Sequence, residues 1–192
     1  MYLNHFKITN CIASLMKDYN YPWAIAGGWA IDLYIGNITR DHEDIEIVIF
    51  RDDQKKLQDY LVGWNFKKVS YGEIEPWQLG ERLELPIHET YAEESDNKLE
   101  VLLNESEGND WVFRRDNRIR KPKSEIILQS LNGVRYLCPE IVLLYKSKNP
   151  RYKDQEDFKN INKLIETERK EWLINSLKTL YVEHPWIEAR SR

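Results

Sequence analysis

Two acidic residues stand at the start of an apolar run in the first third of the sequence. Asp44, Ile45 and Glu46 lead into the apolar residues 47–50. Because residues i and i+2 of a strand point to the same face, Asp44 and Glu46 would present two carboxylates side by side. Mg²⁺ is commonly held by one or two carboxylates together with phosphate oxygens. The pattern predicts a magnesium site, and the alternative is two solvated acids on an edge strand.

A glycine pair, Gly27 and Gly28, precedes these acids in the chain. It separates a short apolar run, residues 23–26, from a segment with helical spacing, residues 29–35. Since glycine has no side chain, backbone N–H groups at such a turn can approach an anion at the start of the helix. We therefore expect a phosphate-binding turn beside the metal, and an ordinary strand-to-helix turn is the alternative.

The remaining pattern predicts the elements that must position these residues. Strands are expected at 23–26, 44–50, 66–69, 87–91, 99–103, 111–113 and 126–128, and helices at 5–17, 29–35, 140–148, 153–165 and 168–182. Another helix is expected from residue 52, capped by Asp52 or Asp53. The fold class is therefore α+β, with a mixed or largely antiparallel sheet flanked by helices. We divide the chain into a core, 1–136, and a C-terminal helical subdomain, 137–192.

Composition excludes several classes of protein. The 192 residues carry a net charge of −4, with 42% hydrophobic and 31% charged residues, which is typical of a folded globular protein. No apolar run reaches the roughly 20 residues of a membrane span. The acidic balance disfavours nucleic acid as a partner. Cys11 and Cys138 lie far apart and fit reduced thiols, and the first 20 residues lack the pattern of a signal peptide, so a cytoplasmic location is expected.

Several catalytic motifs are absent from the sequence. The histidines His5, His88 and His184 do not form the HxxH or HExxH spacing of zinc hydrolases. The GxxxxGK[ST] phosphate loop and the GxSxG nucleophile elbow are also missing, which leaves P-loop kinases and α/β-hydrolases without support.

Three stretches of the sequence together resemble a known group of enzymes. They are GGWAIDLYIGNITRDHEDIEI from Gly27, WVFRRDNRIRKP from Trp111 and YLCPEIVLLYKSKNPRYKDQEDF from Tyr136. The chain resembles the small-molecule branch of the DNA polymerase beta nucleotidyltransferase superfamily, and within it the aminoglycoside and lincosamide adenylyltransferases. The resemblance implies the nucleotidyltransferase fold. It also implies transfer of a nucleoside monophosphate, AMP from ATP being expected, to a hydroxyl of a small acceptor such as one of these antibiotics.

The resemblance also implies roles for individual residues. Gly27 and Gly28 match the turn that holds the triphosphate, and Asp44 and Glu46 match the carboxylates that bind one or two Mg²⁺ ions. The superfamily's third carboxylate, a metal ligand or general base, matches Glu100. Two further acids, Glu89 and Glu105, are rivals for that position. The usual motif has aspartate at both positions of the pair, so Glu46 is a departure from it.

Three cations are expected to meet the nucleotide. Lys146 resembles the family's phosphate-contacting lysine, and Arg40 and His42 lie next to the metal strand. The structural alternatives are that Arg40 pairs with Asp41 or Asp44, that His42 orients the turn, and that Lys146 is a solvated cation at a helix end.

Two charged segments keep more than one interpretation. The basic run 114–121 would form ion pairs with Asp110 and nearby acids, or contact the nucleotide. Asp154 and Asp157, at helical i, i+3 spacing, would pair with Lys153 or Arg151, or meet the acceptor.

The sequence also leaves two other functions open. Glu46 is compatible with a catalytically silent nucleotide-binding regulator, and the same site could modify a protein hydroxyl. Nothing in the sequence indicates an oligomeric state.

Overall fold

The structure is a computed structural model that describes residues 6–189. Within that range the chain forms ten strands and eight α-helices. The strands are β1 (Trp23–Ile25), β2 (Glu46–Phe50), β3 (Asn65–Ser70), β4 (Glu73–Pro76), β5 (Glu89–Glu94), β6 (Asn97–Glu107), β7 (Asp110–Val112), β8 (Arg120–Pro122), β9 (Ile127–Gln129) and β10 (Arg135–Leu137). The helices are α1 (Lys7–Leu15), α2 (Gly27–Ile35), α3 (Gln54–Tyr60), α4 (Lys123–Ile126), α5 (Pro139–Lys146), α6 (Tyr152–Asn162), α7 (Thr167–Leu180) and α8 (Pro185–Glu188).

The strands form one mixed sheet. Its order is β4-β3-β5-β6-β2-β1-β10-β9, and β7 and β8 extend from the far half of β6. The pairs β2–β6 and β1–β10 are parallel, and the other pairs are antiparallel. The expected α+β class and mixed sheet are confirmed.

The core explains why the central strands run together. Every residue of β1 is buried, and Ile47 and Ile49 of β2 point into the core while Glu46 begins the strand on the opposite face. In β6, Leu99, Val101 and Leu103 are buried in the same alternation. The other face of β2 and β6 is therefore free to line a site.

The C-terminal helices cover this second face. Helix α5 begins at Pro139, a residue favoured in the first helical turn, and residues 139–144 are all buried. It packs against α2, α6 and α7. The division into a core and a helical subdomain stays a prediction, and its boundary falls inside β10. None of the helices in residues 6–189 combines the length and apolar character that a membrane crossing requires.

Several local expectations were wrong. Helix α3 is preceded by a 3-10 turn, Arg51–Asp53, and no side chain caps it, although Asp53 occupies the N-cap position. Three short strands, β4, β8 and β10, were not predicted, and two of them, β4 and β8, carry charged residues and end in proline, which is disfavoured in strands. The first helix was expected from His5, which lies outside the described residues.

Candidate active site

Two glutamates lie directly opposite each other at the centre of the sheet. The parallel register of β2 and β6 pairs Glu46 with Glu100, and Tyr91 of β5 is the next neighbour of Glu100. Burial and then the charge of Glu46 raise the pKa of the Glu100 carboxyl to about 8. Burial also raises the pKa of Glu46, although the Lys146 ammonium opposes that shift. Within the described residues neither carboxylate has a hydrogen-bond or ion-pair partner.

Asp44 does not lie on the strand with Glu46, contrary to the expectation. Strand β2 begins at Glu46, and Asp44 is an exposed residue of the preceding segment. The Trp29 indole N–H donates to the Asp44 backbone carbonyl at 3.1 Å. The Asp44 carboxylate is still close enough to raise the pKa values of both glutamates. It therefore stands at the rim of the acidic pair and not on the same strand face.

The glycine pair is required by the side chains packed over it. Gly27 opens α2 with φ +58°, a conformation that favours glycine, and a β-carbon there would overlap the Glu46 carboxylate. A β-carbon at Gly28 would overlap the Arg40 guanidinium and the His42 ring. The longer Glu46 side chain thus reaches across to the start of α2, where the helix dipole favours negative charge.

Arg40 and His42 are anchored by carboxylates on two different helices. Arg40 donates through Nε and Nη2 to Asp157 of α6 at 3.3 and 3.2 Å. The Nε2 atom of His42 lies 2.6 Å from Asp32 of α2, whose other oxygen accepts from the Thr39 backbone and hydroxyl. Arg40 therefore pairs with neither Asp41 nor Asp44 through their carboxylates, and His42 does orient the segment before the acids.

Lys146 is held at the end of α5 by two carboxylates of α6. Its Nζ lies 2.7 Å from Asp154 and 3.1 Å from Asp157. Burial opposes the ionised form of Asp154, but hydrogen bonds from Arg151 and Lys146 lower the pKa of that carboxyl to about 2. Lys153, the partner expected from the sequence, takes no part in these ion pairs. Asp157 thus joins Lys146 to Arg40 and ties the C-terminal helices to the segment before β2.

A cleft runs between the sheet and α5 with the acidic pair at its middle. Its larger part has a volume of about 430 Å³ and lies over β2, β5 and β6. A smaller polar part, about 210 Å³, contains Asp44, Glu43 and Gly28. The two parts share Glu46, Glu100, Lys146 and Arg151. The structure thus gathers the predicted residues Gly27, Gly28, Arg40, His42, Asp44, Glu46, Glu100 and Lys146 around one cleft.

The two rivals of Glu100 occupy different places. Glu89 lines the larger part of the cleft and accepts a hydrogen bond from the Tyr91 hydroxyl at 2.6 Å. Glu105 lies five residues beyond Glu100 on β6, where it forms a bidentate ion pair with Arg51 at 2.6 and 2.9 Å. Glu105 is therefore committed to a structural pair, and Glu100 is the acid beside Glu46.

The donor set fits a hard cation by its chemistry. Glu46 and Glu100 supply carboxylate oxygens, the ligands that Mg²⁺ prefers, and a cation between them would oppose the effect of the Glu46 charge on the pKa of Glu100. In residues 6–189 no three His, Cys, Asp or Glu side chains converge as a complete metal-binding group. Phosphate oxygens and water commonly supply the remaining ligands of Mg²⁺.

Comparisons with known proteins agree with this geometry. The model of the aminoglycoside-2''-adenylyltransferase family matches residues 9–161, most of the chain. The chain belongs to that family. A 2''-aminoglycoside nucleotidyltransferase of Escherichia coli is 33% identical over 64 residues, which are 32% of this chain and 36% of that protein. The matched region thus spans about a third of the length of this curated relative.

Solved structures share the fold of this family member. A crystal structure of ANT(2'')-Ia in complex with adenylyl-2''-tobramycin superposes with a TM-score of 0.60 at 17% identity, covering 91% of this chain and 98% of that one. The lincomycin-bound lincosamide antibiotic adenylyltransferase LnuA gives a TM-score of 0.57 at 17% identity, covering 83% and 97%. At this identity the likeness establishes the nucleotidyltransferase fold alone.

Sequence reasoning missed several residues that shape the cleft of this family member. Asn104 and Tyr145 line the cleft, and Tyr91 lies next to Glu100. All three belong to segments whose sequence pattern is typical of a buried core. Asn104 could have been found from the alternation of side chains along β6, since Glu100, Leu102 and Asn104 lie on the same face of the strand.

The basic run separates into two groups. Arg118, Arg120 and Lys121 pair with Asp116, Glu107 and Glu140, respectively, and not with Asp110. Arg114 and Arg115 line the cleft.

Proposed function

We propose that the protein transfers a nucleoside monophosphate from a nucleoside triphosphate to a hydroxyl of a small acceptor, with release of pyrophosphate. The observation that supports this most directly is the unpartnered pair Glu46 and Glu100 beside the Gly27-Gly28 turn. Two like charges left facing each other at a helix start need a cation and its phosphate ligands. Membership of the aminoglycoside-2''-adenylyltransferase family supports the same reaction.

The acceptor we propose is an aminoglycoside or a lincosamide antibiotic. The structures that share the fold are described with adenylyl-2''-tobramycin in one case and lincomycin in the other. ATP is the donor expected from the family description. We place the reaction in the cytoplasm, where ATP is supplied.

The residues of this chain divide the work of the reaction. The acceptor oxygen forms a bond to the α-phosphorus, the bond from that phosphorus to the bridging oxygen of pyrophosphate breaks, and the hydroxyl proton passes to Glu100. Lys146 and Arg40 face the phosphates from positions fixed by Asp157. Mg²⁺ bound by Asp44, Glu46 and Glu100 would neutralise charge on the phosphates and orient them.

The proposal is tested by pyrophosphate release from each of the four NTPs with Mg²⁺ and a panel of aminoglycosides and lincosamides. We expect release with at least one acceptor, and its loss in Asp44→Ala. Asp59→Ala is the matched control, because Asp59 is an exposed carboxylate that pairs with Lys55 on the surface. Nucleotide binding without release for any acceptor would contradict the transferase.

The presence of Glu46 where the family motif has aspartate favours one second candidate, a silent nucleotide-binding regulator. Under that hypothesis the protein binds nucleotide, releases no pyrophosphate, and is not rescued by Glu46→Asp. Under the transferase hypothesis the wild-type protein is active, and Glu46→Asp changes the rate without creating a new activity. The same assay therefore separates the two functions.

A further inference from the structure

The larger part of the cleft extends well beyond the acidic pair along β6. Glu100, Leu102 and Asn104 share the face that lines it. At about 3.3 Å per residue, Asn104 lies about 13 Å along the strand from Glu100. The cleft therefore has a near end that carries the acids and a far end that carries Asn104.

The character of the cleft changes from one end to the other. Between the ends its walls are apolar, with Val48, Leu102 and Leu137 on the sheet side and Val142 on α5. Such a middle section suits a flat, weakly polar ring more than a phosphate or an ammonium group.

Asn104 presents a hydrogen-bond donor at the far end. Its Oδ1 accepts from the Trp111 indole N–H and from the Tyr145 hydroxyl, each at 3.1 Å. Because an indole N–H can only donate, the oxygen of the amide is the atom on that side. The amide nitrogen has no partner in the described residues, so its N–H groups are left for the cleft.

Two guanidinium groups complete this end. Arg114 and Arg115 lie 5.2 and 5.5 Å from the Tyr145 ring centroid, and Arg115 also donates to the Tyr145 carbonyl. Neither arginine has a carboxylate partner in residues 6–189. Arg114 is half-buried, and it is the guanidinium held against the aromatic wall without any hydrogen-bond acceptor. Its donors are therefore available to a ligand.

One acceptor stands near these donors. His88 also lines the cleft, and its Nδ1 donates to the Pro86 carbonyl at 2.8 Å, which leaves Nε2 as an acceptor when the ring is neutral. Burial, and then the charges of Arg114 and Arg115, keep the pKa of His88 below its usual value.

A cationic acceptor such as an aminoglycoside would be repelled by two free guanidinium groups, so this end is suited to the donor nucleotide. We propose that Arg114 and Asn104 contact the base of the donor and favour guanine over adenine, which changes the donor of this chain from the ATP expected from the family description to GTP. The assignment rests on the proposed function, which places the triphosphate at the acidic pair. Guanine offers two adjacent acceptors, O6 and N7, to which arginine donates in a bidentate manner. Adenine places its N6 amino group against the same donors.

Equilibrium binding tests the proposal without turnover. The ligands are non-hydrolysable α,β-methylene analogues of GTP and ATP, titrated with Mg²⁺ into the full chain and followed by calorimetry. We expect the guanine analogue to bind about tenfold or more tightly than the adenine analogue. In Arg114→Met the two affinities should converge through loss of guanine affinity. Arg135→Met is the matched control, since Arg135 is exposed, has no ion-pair partner in residues 6–189 and is not among the residues that line the cleft.

A second variant keeps the test independent of Arg114. Asn104→Asp retains an oxygen for Trp111 and Tyr145 but replaces the donor group with an acceptor. It should shift the ratio of the two affinities toward adenine.

The outcomes separate this proposal from the proposed function. Equal or tighter binding of the adenine analogue to the wild-type protein would overturn base recognition by Arg114 and leave the transferase standing. An equal loss of both affinities in Arg114→Met would also overturn it, because it would show only a general attraction to phosphate. Failure of both analogues to bind, together with absent pyrophosphate release, would overturn the function itself.

Discussion

The two ends of strand β6 place the same residue type in opposite situations. Glu105 meets the buried Arg51 guanidinium in a bidentate pair, and the charge of each side chain is compensated. Glu100, five residues earlier, faces Glu46 and has no cationic partner among residues 6–189. Burial and then Glu46 raise the pKa of Glu100 to about 8, so its charged form is disfavoured in the protein alone. The charge of Glu105 is therefore neutralised within the fold, whereas the charge of Glu100 is not.

This difference shows how a structural acid can be told from a functional one. A buried carboxylate without a partner is destabilising, and such groups cluster where a ligand supplies the missing charge. A buried carboxylate with a bidentate arginine needs no ligand. From this comparison we propose that Glu100 acts in catalysis and that Glu105 serves stability, so variants at the two positions should give opposite results.

Removing the charge of Glu100 should have the largest effect on activity. In Glu100→Gln we expect kcat for pyrophosphate release to fall by about 1,000-fold, because a cation ligand and proton acceptor is lost. The metal-free protein should unfold at the same or a higher temperature, since repulsion with Glu46 is relieved. Steady-state kinetics and thermal unfolding measure the two effects. A kcat within tenfold of the wild-type value would assign Glu100 to a passive role.

The same substitution at Glu105 should act on stability instead. Glu105→Gln leaves the Arg51 guanidinium, a side chain only 5% exposed, without its anionic partner. We expect the free energy of unfolding to fall by about 3 kcal/mol, the lower end for breaking a buried pair. Urea denaturation measures this change, and kcat should stay near the wild-type value where the variant is folded. If Glu105→Gln lost activity while keeping its stability, the distinction drawn along β6 would be wrong.

Lys146 is an intermediate case, because two carboxylates hold it and it still faces Glu46. In Lys146→Met we expect the KM for the NTP to rise about tenfold, since a phosphate-facing charge-assisted hydrogen bond is lost. The kcat should change less. Lys159→Met is the matched control, because Lys159 is an exposed lysine of α6 paired only with Glu156. Loss of stability with an unchanged KM would show that Lys146 serves the fold alone.

Much of the fold could be predicted because many of its elements are determined by residues close together in the sequence. The order of strand, glycine turn and helix around Gly27 follows from short-range pattern, and so does the start of α5 at Pro139. The short strands β4 and β8 could not be predicted, because their charged residues and terminal prolines do not form a strand pattern and their pairing depends on neighbouring strands.

The candidate site was predicted by residue type and not by arrangement. The sequence placed Asp44 and Glu46 on one strand, but the Trp29 indole binds the Asp44 carbonyl and the strand begins later. The sequence also could not show that Asp157 joins Lys146 to Arg40, because Arg40 and Asp157 lie more than 100 positions apart in the chain. Long-range partners of this kind are fixed by packing.

The smallest expected effect is that of Glu100→Gln on the pH dependence of stability in the metal-free protein. It further distinguishes Glu100 from Glu105. The pKa of Glu100 is about 8 in the folded chain and near 4.5 when unfolded, so the folded state binds the extra proton between these values. Stability should therefore fall as pH rises from about 4.5 to about 8, the reverse of a carboxylate with a lowered pKa.

Other groups titrate as well, so the measured quantity is the difference in Tm between wild type and Glu100→Gln. That difference should grow toward pH 8 and shrink when Mg²⁺ and nucleotide are added, whereas for Glu105→Gln ligand should leave it unchanged. A difference in Tm between wild type and Glu100→Gln that is independent of pH would show that the charge of Glu46 does not control the protonation of Glu100.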